Sequence, residues 1–170
     1  MRLDDPDVVR REYANERGLS ARAAVYRGVA GPDARDLALE AVRWMLYHVP
    51  DLDRGVAELA RVLRPAGRLV AATNGLRHLG ELWSLVGRDR ASEPPRFLAE
   101  TGGDVLERHF ARVERRDLGS PITFAAVEAV RCYIASSVAH KQLAERVPHF
   151  DGPLRATRVA AIFVADKAAA

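Results

Sequence analysis

Between Asp51 and Thr73 the hydrophobic period of the chain changes once, sharply, and that change limits the folds open to it. After Pro50-Asp51-Leu52-Asp53, the apolar residues Val56, Leu59, Ala60 and Leu63 recur at helical spacing. Acids sit at the start of this stretch and Arg61 and Arg64 near its end, the charge order that complements a helix macrodipole. Pro65-Ala66-Gly67 stops the helix, because proline cannot continue the backbone ladder and small residues allow a tight reversal. Arg68-Leu69-Val70-Ala71-Ala72-Thr73 then reads as a buried strand that ends at the turn pair Asn74-Gly75. A helix delivered by a short reversal into a buried strand is the building unit of layered α/β folds.

The remaining segments extend that pattern. Residues 7–27 carry Val8, Val9, Tyr13, Leu19, Ala23 and Tyr26 amid charge and read as one or two short amphipathic helices, with Gly18 as a break. Asp33 caps a helix to about Tyr47, with Leu37, Ala38, Ala41, Val42, Met45 and Leu46 on one face. Val42-Trp44-Leu46 also alternates as a strand would, over a shorter span. Leu76 to about Val86 reads as a helix with Leu79, Leu82, Trp83 and Val86 inward, and Phe97 to His109 as helical turns interrupted at Gly102-Gly103. Phe110–Leu118 reads as a strand, and Thr123 caps a helix to about Val138. A short helix spans about Lys141–Val147, and Thr157–Val164 forms a final strand.

Composition excludes several classes. A chain of 170 residues suits one domain. It has 48% hydrophobic and 29% charged residues, as a soluble globular protein does. No apolar run approaches the roughly 20 residues of a bilayer span. The charged start, Met1-Arg2-Leu3-Asp4-Asp5-Pro6, lacks the apolar core of a secretory signal. Cys132 is the single cysteine, so no internal disulfide forms and a reducing, cytoplasmic setting is expected. Arginine supplies 24 of the 26 basic residues, but Arg10-Arg11, Arg88/Arg90 and Arg115-Arg116 are scattered among acids rather than gathered in a stripe. No nucleic-acid partner is therefore expected. His78, His109, His140 and His149 show no metal-ligand spacing, so no metal is expected. No G-x-S-x-G motif exists to support a serine nucleophile.

The run Trp44-Met45-Leu46-Tyr47-His48-Val49-Pro50-Asp51 resembles class I S-adenosylmethionine-dependent methyltransferases when read with Leu59-Ala60-Arg61-Val62-Leu63-Arg64-Pro65-Ala66-Gly67-Arg68-Leu69-Val70. In that family an apolar strand leads into an L-[HY]-H-V-P-D turn, and a helix ending in R-V-L-R-P-G-G delivers the next strand. Ala66 stands here in place of the first glycine. The resemblance is specific over residues 44–90 and loose over 91–166.

It implies a truncated Rossmann-like methyltransferase sheet of about three to four strands, the last antiparallel, with flanking helices. Residues 1–43 would be a helical N-terminal segment, and 44–170 the C-terminal half of the methyltransferase domain. By the same resemblance Trp44, Met45 and Leu46 would touch S-adenosylmethionine. His48 and Asn74 would lie near a small-molecule methyl acceptor, beneath an insert at 123–147. Tyr13 would belong to a flap over the cleft. Each also has a plainer reading, with His48 hydrogen-bonded in its turn and Tyr13 packed on a surface helix.

The family's cofactor half is missing. It consists of a first strand with an E-x-G-x-G-x-G turn, which lets backbone approach the methionine portion, and a second strand ending in an acid that holds the ribose. The sequence contains no G-x-G, and about 60 residues, roughly two βαβ units, are lacking between Val42 and Trp44. The expected function is accordingly a methyltransferase-family protein that is impaired or inactive as an isolated chain. The alternative is a non-enzymatic interaction module, a pseudoenzyme that self-associates or binds a partner. Loss of flanking strands would expose a sheet edge, to be covered by the 33–47 helix or by a homodimer contact.

Overall fold

A computed structural model describes residues 5–12, 14, 46–89 and 97–169. The fold is α/β, with a three-stranded antiparallel open sheet and flanking helices, the arrangement expected of the truncated sheet. Helix α1 spans Pro6–Glu12, a 3-10 turn Leu46–His48, and α2 Leu52–Val62. Strand β1 covers Arg68–Asn74, followed by α3 at Gly80–Leu85 and α4 at Gly102–Glu107. Strand β2 runs Arg112–Phe124, α5 Val127–Ala135, a second 3-10 helix Lys141–Arg146, and β3 Leu154–Asp166.

The strand order is β1-β3-β2. The last strand lies in the middle and runs antiparallel to β1, with Arg68 opposite Asp166 and Asn74 opposite Ala160. Among the described residues no helix is long and apolar enough to cross a membrane.

The described residues form two compact units, each with its own core. The motif unit holds residues 46–78, 97–119 and 159–169. Its core gathers Val56 and Ala60 of α2, Ala71 of β1, Phe97, Leu106, Phe110, and Ala161, Phe163 and Ala165 of β3. The insert unit holds residues 5–12, 14, 79–89 and 120–158. Its core gathers Leu79, Leu82, Trp83 and Val86, then Ile122, Phe124, Val127, Val130, Ile134, Val147 and Ala156. The 13-residue strands β2 and β3 contribute residues to both.

Local chemistry explains where the elements begin. The Asp51 side chain accepts the Arg54 N–H at 3.0 Å and caps α2, satisfying a donor the helix cannot satisfy itself. At the other end Lys167 Nζ donates to the Leu63 carbonyl at 2.7 Å. Ala66 sits at φ 56, a left-handed conformation that costs an L side chain energy and costs glycine none.

Several boundaries differ from expectation. The glycine pair does not interrupt a helix but begins α4. A Cβ on Gly102 would sit 2.8 Å from Phe163 and 2.9 Å from Phe97, so only glycine lets the helix start against those rings. Strand β2 passes through Pro121 and Thr123 to Phe124, and α5 starts only at Val127. Ile122 and Phe124 are buried on either side of exposed Thr123, and that two-residue alternation holds Thr123 in the strand. Residues 76–79 form turns rather than helix, and Leu79 adopts φ 54 before α3. Leu46 and Tyr47 lie in a 3-10 turn, and the rest of the expected 33–47 helix lies outside the described residues.

Candidate functional site at the carboxyl end of β1

The site belongs to the motif unit and grows from the turn before α2. Val49 N–H bonds the Leu46 carbonyl at 3.2 Å, closing the 3-10 turn. Gly55 admits Val49 against the first turns of α2, since a Cβ there would meet Val49 Cγ1 at 2.8 Å. This packing sets the 3-10 turn beside β1. His48 is 8% exposed, and its ring lies 4.3 Å from that of Tyr47.

At the end of β1 several polar groups of the turn are tied down. Thr73 Oγ1 donates to the Phe97 carbonyl at 2.6 Å, and the Asn74 carbonyl accepts the Ala99 N–H at 3.1 Å. Gly75 N–H donates to Val159 O at 3.0 Å, and both Glu100 carboxylate oxygens accept the Leu76 N–H, at 3.1 and 3.0 Å. The buried His78 ring sits with Nδ1 3.0 Å from Val159 O and 3.3 Å from Val159 N, so its tautomer decides which of the two it serves.

One side-chain atom in this arrangement is unsatisfied. Asn74 Oδ1 is buried and has no hydrogen-bond partner. Unmet acceptors are rare in folded proteins because each forfeits its hydration, on the order of 1–3 kcal/mol. A donor brought to this atom would recover that loss.

The same region does not fit S-adenosylmethionine. Gly75 is the glycine at a strand's carboxyl end, but its open side is filled: a Cβ there would sit 2.8 Å from Val159 and 2.9 Å from Glu100. The adjacent Leu76 N–H is already taken by the Glu100 carboxylate, so it does not serve a cofactor carboxylate.

Of the residues singled out from sequence, Leu46 and His48 occupy the 3-10 turn beside β1, and Asn74 ends that strand. Trp44, Met45 and Tyr13 lie outside the described residues. Sequence reasoning missed Glu100, His78 and Thr73. The roles of Thr73 and Glu100 depend on residues 97–100 folding back onto β1, and that of His78 on Val159 of β3, which no local spacing announces.

A second polar cluster in the motif unit was also missed. Asp53 Oδ1 lies 2.7 Å from Arg108 Nε and 3.0 Å from His109 Nε2. The hydrogen bond from His109, then that from Arg108, holds the Asp53 carboxyl below its ordinary pKa. The cluster joins α2 to the end of α4. It is exposed and brings no further reactive group with it.

No family model matches this chain, and no curated protein does. Among solved structures, the YcgJ protein from Bacillus subtilis is similar at 14% identity, with a TM-score of 0.45. The alignment covers 75% of this chain and 62% of that one.

Proposed function

We propose that the chain is a methyltransferase-family protein that keeps part of the acceptor side of that architecture and lacks the donor side. In this reading it is a cytoplasmic pseudoenzyme. Asn74 and His48 would face a small molecule with a hydrogen-bond donor, and S-adenosylmethionine would bind weakly or not at all. What supports it is the linked pair of motifs at 44–51 and 59–70, of which residues 46–70 form turn, capped helix and strand, together with the unsatisfied Asn74 Oδ1. Methyl transfer depends on holding donor and nucleophile in line, and the described residues provide nothing to fix the donor.

Calorimetric titration with S-adenosylmethionine tests the donor half, with no saturable heat expected at cofactor concentrations up to about 1 mM. Saturable binding near 10 µM (roughly −7 kcal/mol) with turnover would overturn it. Ligand-observed NMR against a panel of small amines, alcohols and their methylated analogues tests the acceptor half. Donor-bearing compounds are expected to bind the native chain and to lose binding in Asn74→Leu.

A further inference from the structure

The segment after Phe97 runs beside the end of β1 and brings a charge to it. Ala99 N–H donates to Asn74 O at 3.1 Å, and Leu76 N–H donates to both oxygens of Glu100, at 3.1 and 3.0 Å. Residues 99–100 thus lie along residues 74–76. Between Asn74 and Leu76 the Glu100 carboxylate passes over Gly75, so closely that a Cβ there would sit 2.9 Å from Oε1. The carboxylate is therefore held one residue away from Asn74 by a glycine that gives it room.

Acceptors outnumber donors at this end of the strand. A carboxylate can accept about four hydrogen bonds. Among the described residues Glu100 receives one N–H, shared between its two oxygens, and pairs with no cation. Asn74 Oδ1 is an acceptor with no partner. The neighbouring Thr73 hydroxyl is committed to Phe97 O at 2.6 Å and supplies neither of them. Glu100 is exposed and Asn74 half-buried, so a molecule arriving from solvent meets the charge before the amide.

A neutral donor such as an alcohol satisfies Asn74 Oδ1 and leaves the Glu100 charge as it was. An ammonium group answers both, with one N–H for the amide oxygen and a second, carrying positive charge, for the carboxylate. Charge-assisted hydrogen bonds are roughly twice as strong as neutral ones.

We infer that the small molecule taken at this end of β1 is a protonated primary or secondary amine, with Glu100 selecting its charge and Asn74 receiving one N–H. A quaternary ammonium has no N–H to give, and an organic acid is repelled by Glu100. The inference rests on the reading of Asn74 as a ligand-binding residue and narrows it from any hydrogen-bond donor to a cation.

Ligand-observed NMR with butylammonium, 1-butanol and butyltrimethylammonium tests it on the native chain. Butylammonium is expected to bind at least about tenfold more tightly than either of the others, and to weaken as salt is raised. Glu100→Gln keeps an oxygen for the Leu76 N–H and removes the charge. It is expected to bring butylammonium and butanol within about twofold of each other, with an unchanged circular dichroism spectrum. Equal binding of butylammonium and either other probe by the native chain overturns the inference and leaves the reading of Asn74 standing. A preference for butylammonium that survives in folded Glu100→Gln does the same. Failure of every probe to bind, or binding that Asn74→Leu does not change, overturns both.

Discussion

The motif unit and the insert unit are built by different means. The motif unit is organised by a strand pair: seven β1 residues lie in register with β3, and alternate side chains from both strands bury under α2 and Phe97. Its polar links are ionic, with Arg68 Nε 2.6 Å from Asp166 and Asp53 held by Arg108 and His109. The insert unit joins short helices to the ends of β2 and β3, and aromatic and hydrogen-bonded locks add to that frame. Arg88 stacks 4.5 Å over the Trp83 ring, His140 lies 5.2 Å from it on a tilt, and Glu81 accepts both the Thr157 N–H and its hydroxyl. A ladder needs one residue type at alternate positions, whereas locks of this kind need particular pairs far apart in sequence. The first can tolerate exchange of one apolar residue for another, and the second cannot.

The largest effect should come from emptying either core. Phe163→Ala removes a ring that meets Phe97 edge-on at 5.6 Å, and about 3–5 kcal/mol of stability should be lost. Ile134→Ala in the insert unit should cost about 2–5 kcal/mol. Hydrogen exchange should show lost protection concentrated in α2 for the first variant and in α5 for the second. Equal loss in both units from either variant would remove the distinction between them.

Next in size, Gly102→Ala forces a methyl group into the Phe97 and Phe163 rings, and a loss of about 1–3 kcal/mol is expected in urea denaturation. The same change at Gly103, where the nearest ring atom would lie 3.7 Å away, should be mild. Smaller, and of opposite sign, Ala66→Gly should stabilise the protein by roughly 0.5–1 kcal/mol by relieving the left-handed strain. Leu79 has the same backbone conformation, but its side chain is fully buried in the insert core. Leu79→Gly should therefore destabilise, because the cavity outweighs the relief.

The smallest effects concern acid. Asp166 is held below its ordinary pKa by the hydrogen bond from Arg68, and Asp53 by His109 and then Arg108. At Glu81 burial pulls the carboxyl upward, but the two bonds from Thr157 outweigh it and leave the pKa lowered. A carboxylate whose folded pKa is depressed contributes stability above its unfolded pKa, near pH 4. That contribution is lost as the pH falls through the folded value. Urea midpoints should thus be flat from about pH 7 to pH 5 and fall below about pH 4. Asp53→Asn should blunt the fall for the motif unit, and Glu81→Gln for the insert unit, as read by exchange at α2 and α5 respectively.

The motif unit was largely legible in the sequence because its instructions are local. Asp51 caps α2, Pro65-Ala66-Gly67 reverses the chain, and the run after Arg68 can only be a strand. The departure of Ala66 from the family's glycine even coincides with a strained φ. The end of β1 at Asn74 was legible too, because the pair Asn74-Gly75 is a local turn signal. Glu100 and His78 could not be named, since each meets its partner only after distant segments fold together. In the insert unit Pro121 disguised a strand and Thr123 mimicked a helix cap. There the burial of Ile122 and Phe124, a tertiary effect, overrode both local signals. The division into two units was hidden for the same reason: no linker marks it, and the strands themselves carry the chain from one core to the other.

That sharing makes β3 unusually intolerant of changes in length. Its even-numbered Ala156 supplies one core, while odd-numbered Ala161, Phe163 and Ala165 supply the other. Adding or deleting a single residue between them would invert the parity of everything on one side of the change. A shift on the insert side would turn Arg155 and Thr157 inward, and one on the other side would take Phe163 out of its core. Substitutions along this strand can accumulate over generations one at a time, but its count of residues is effectively frozen.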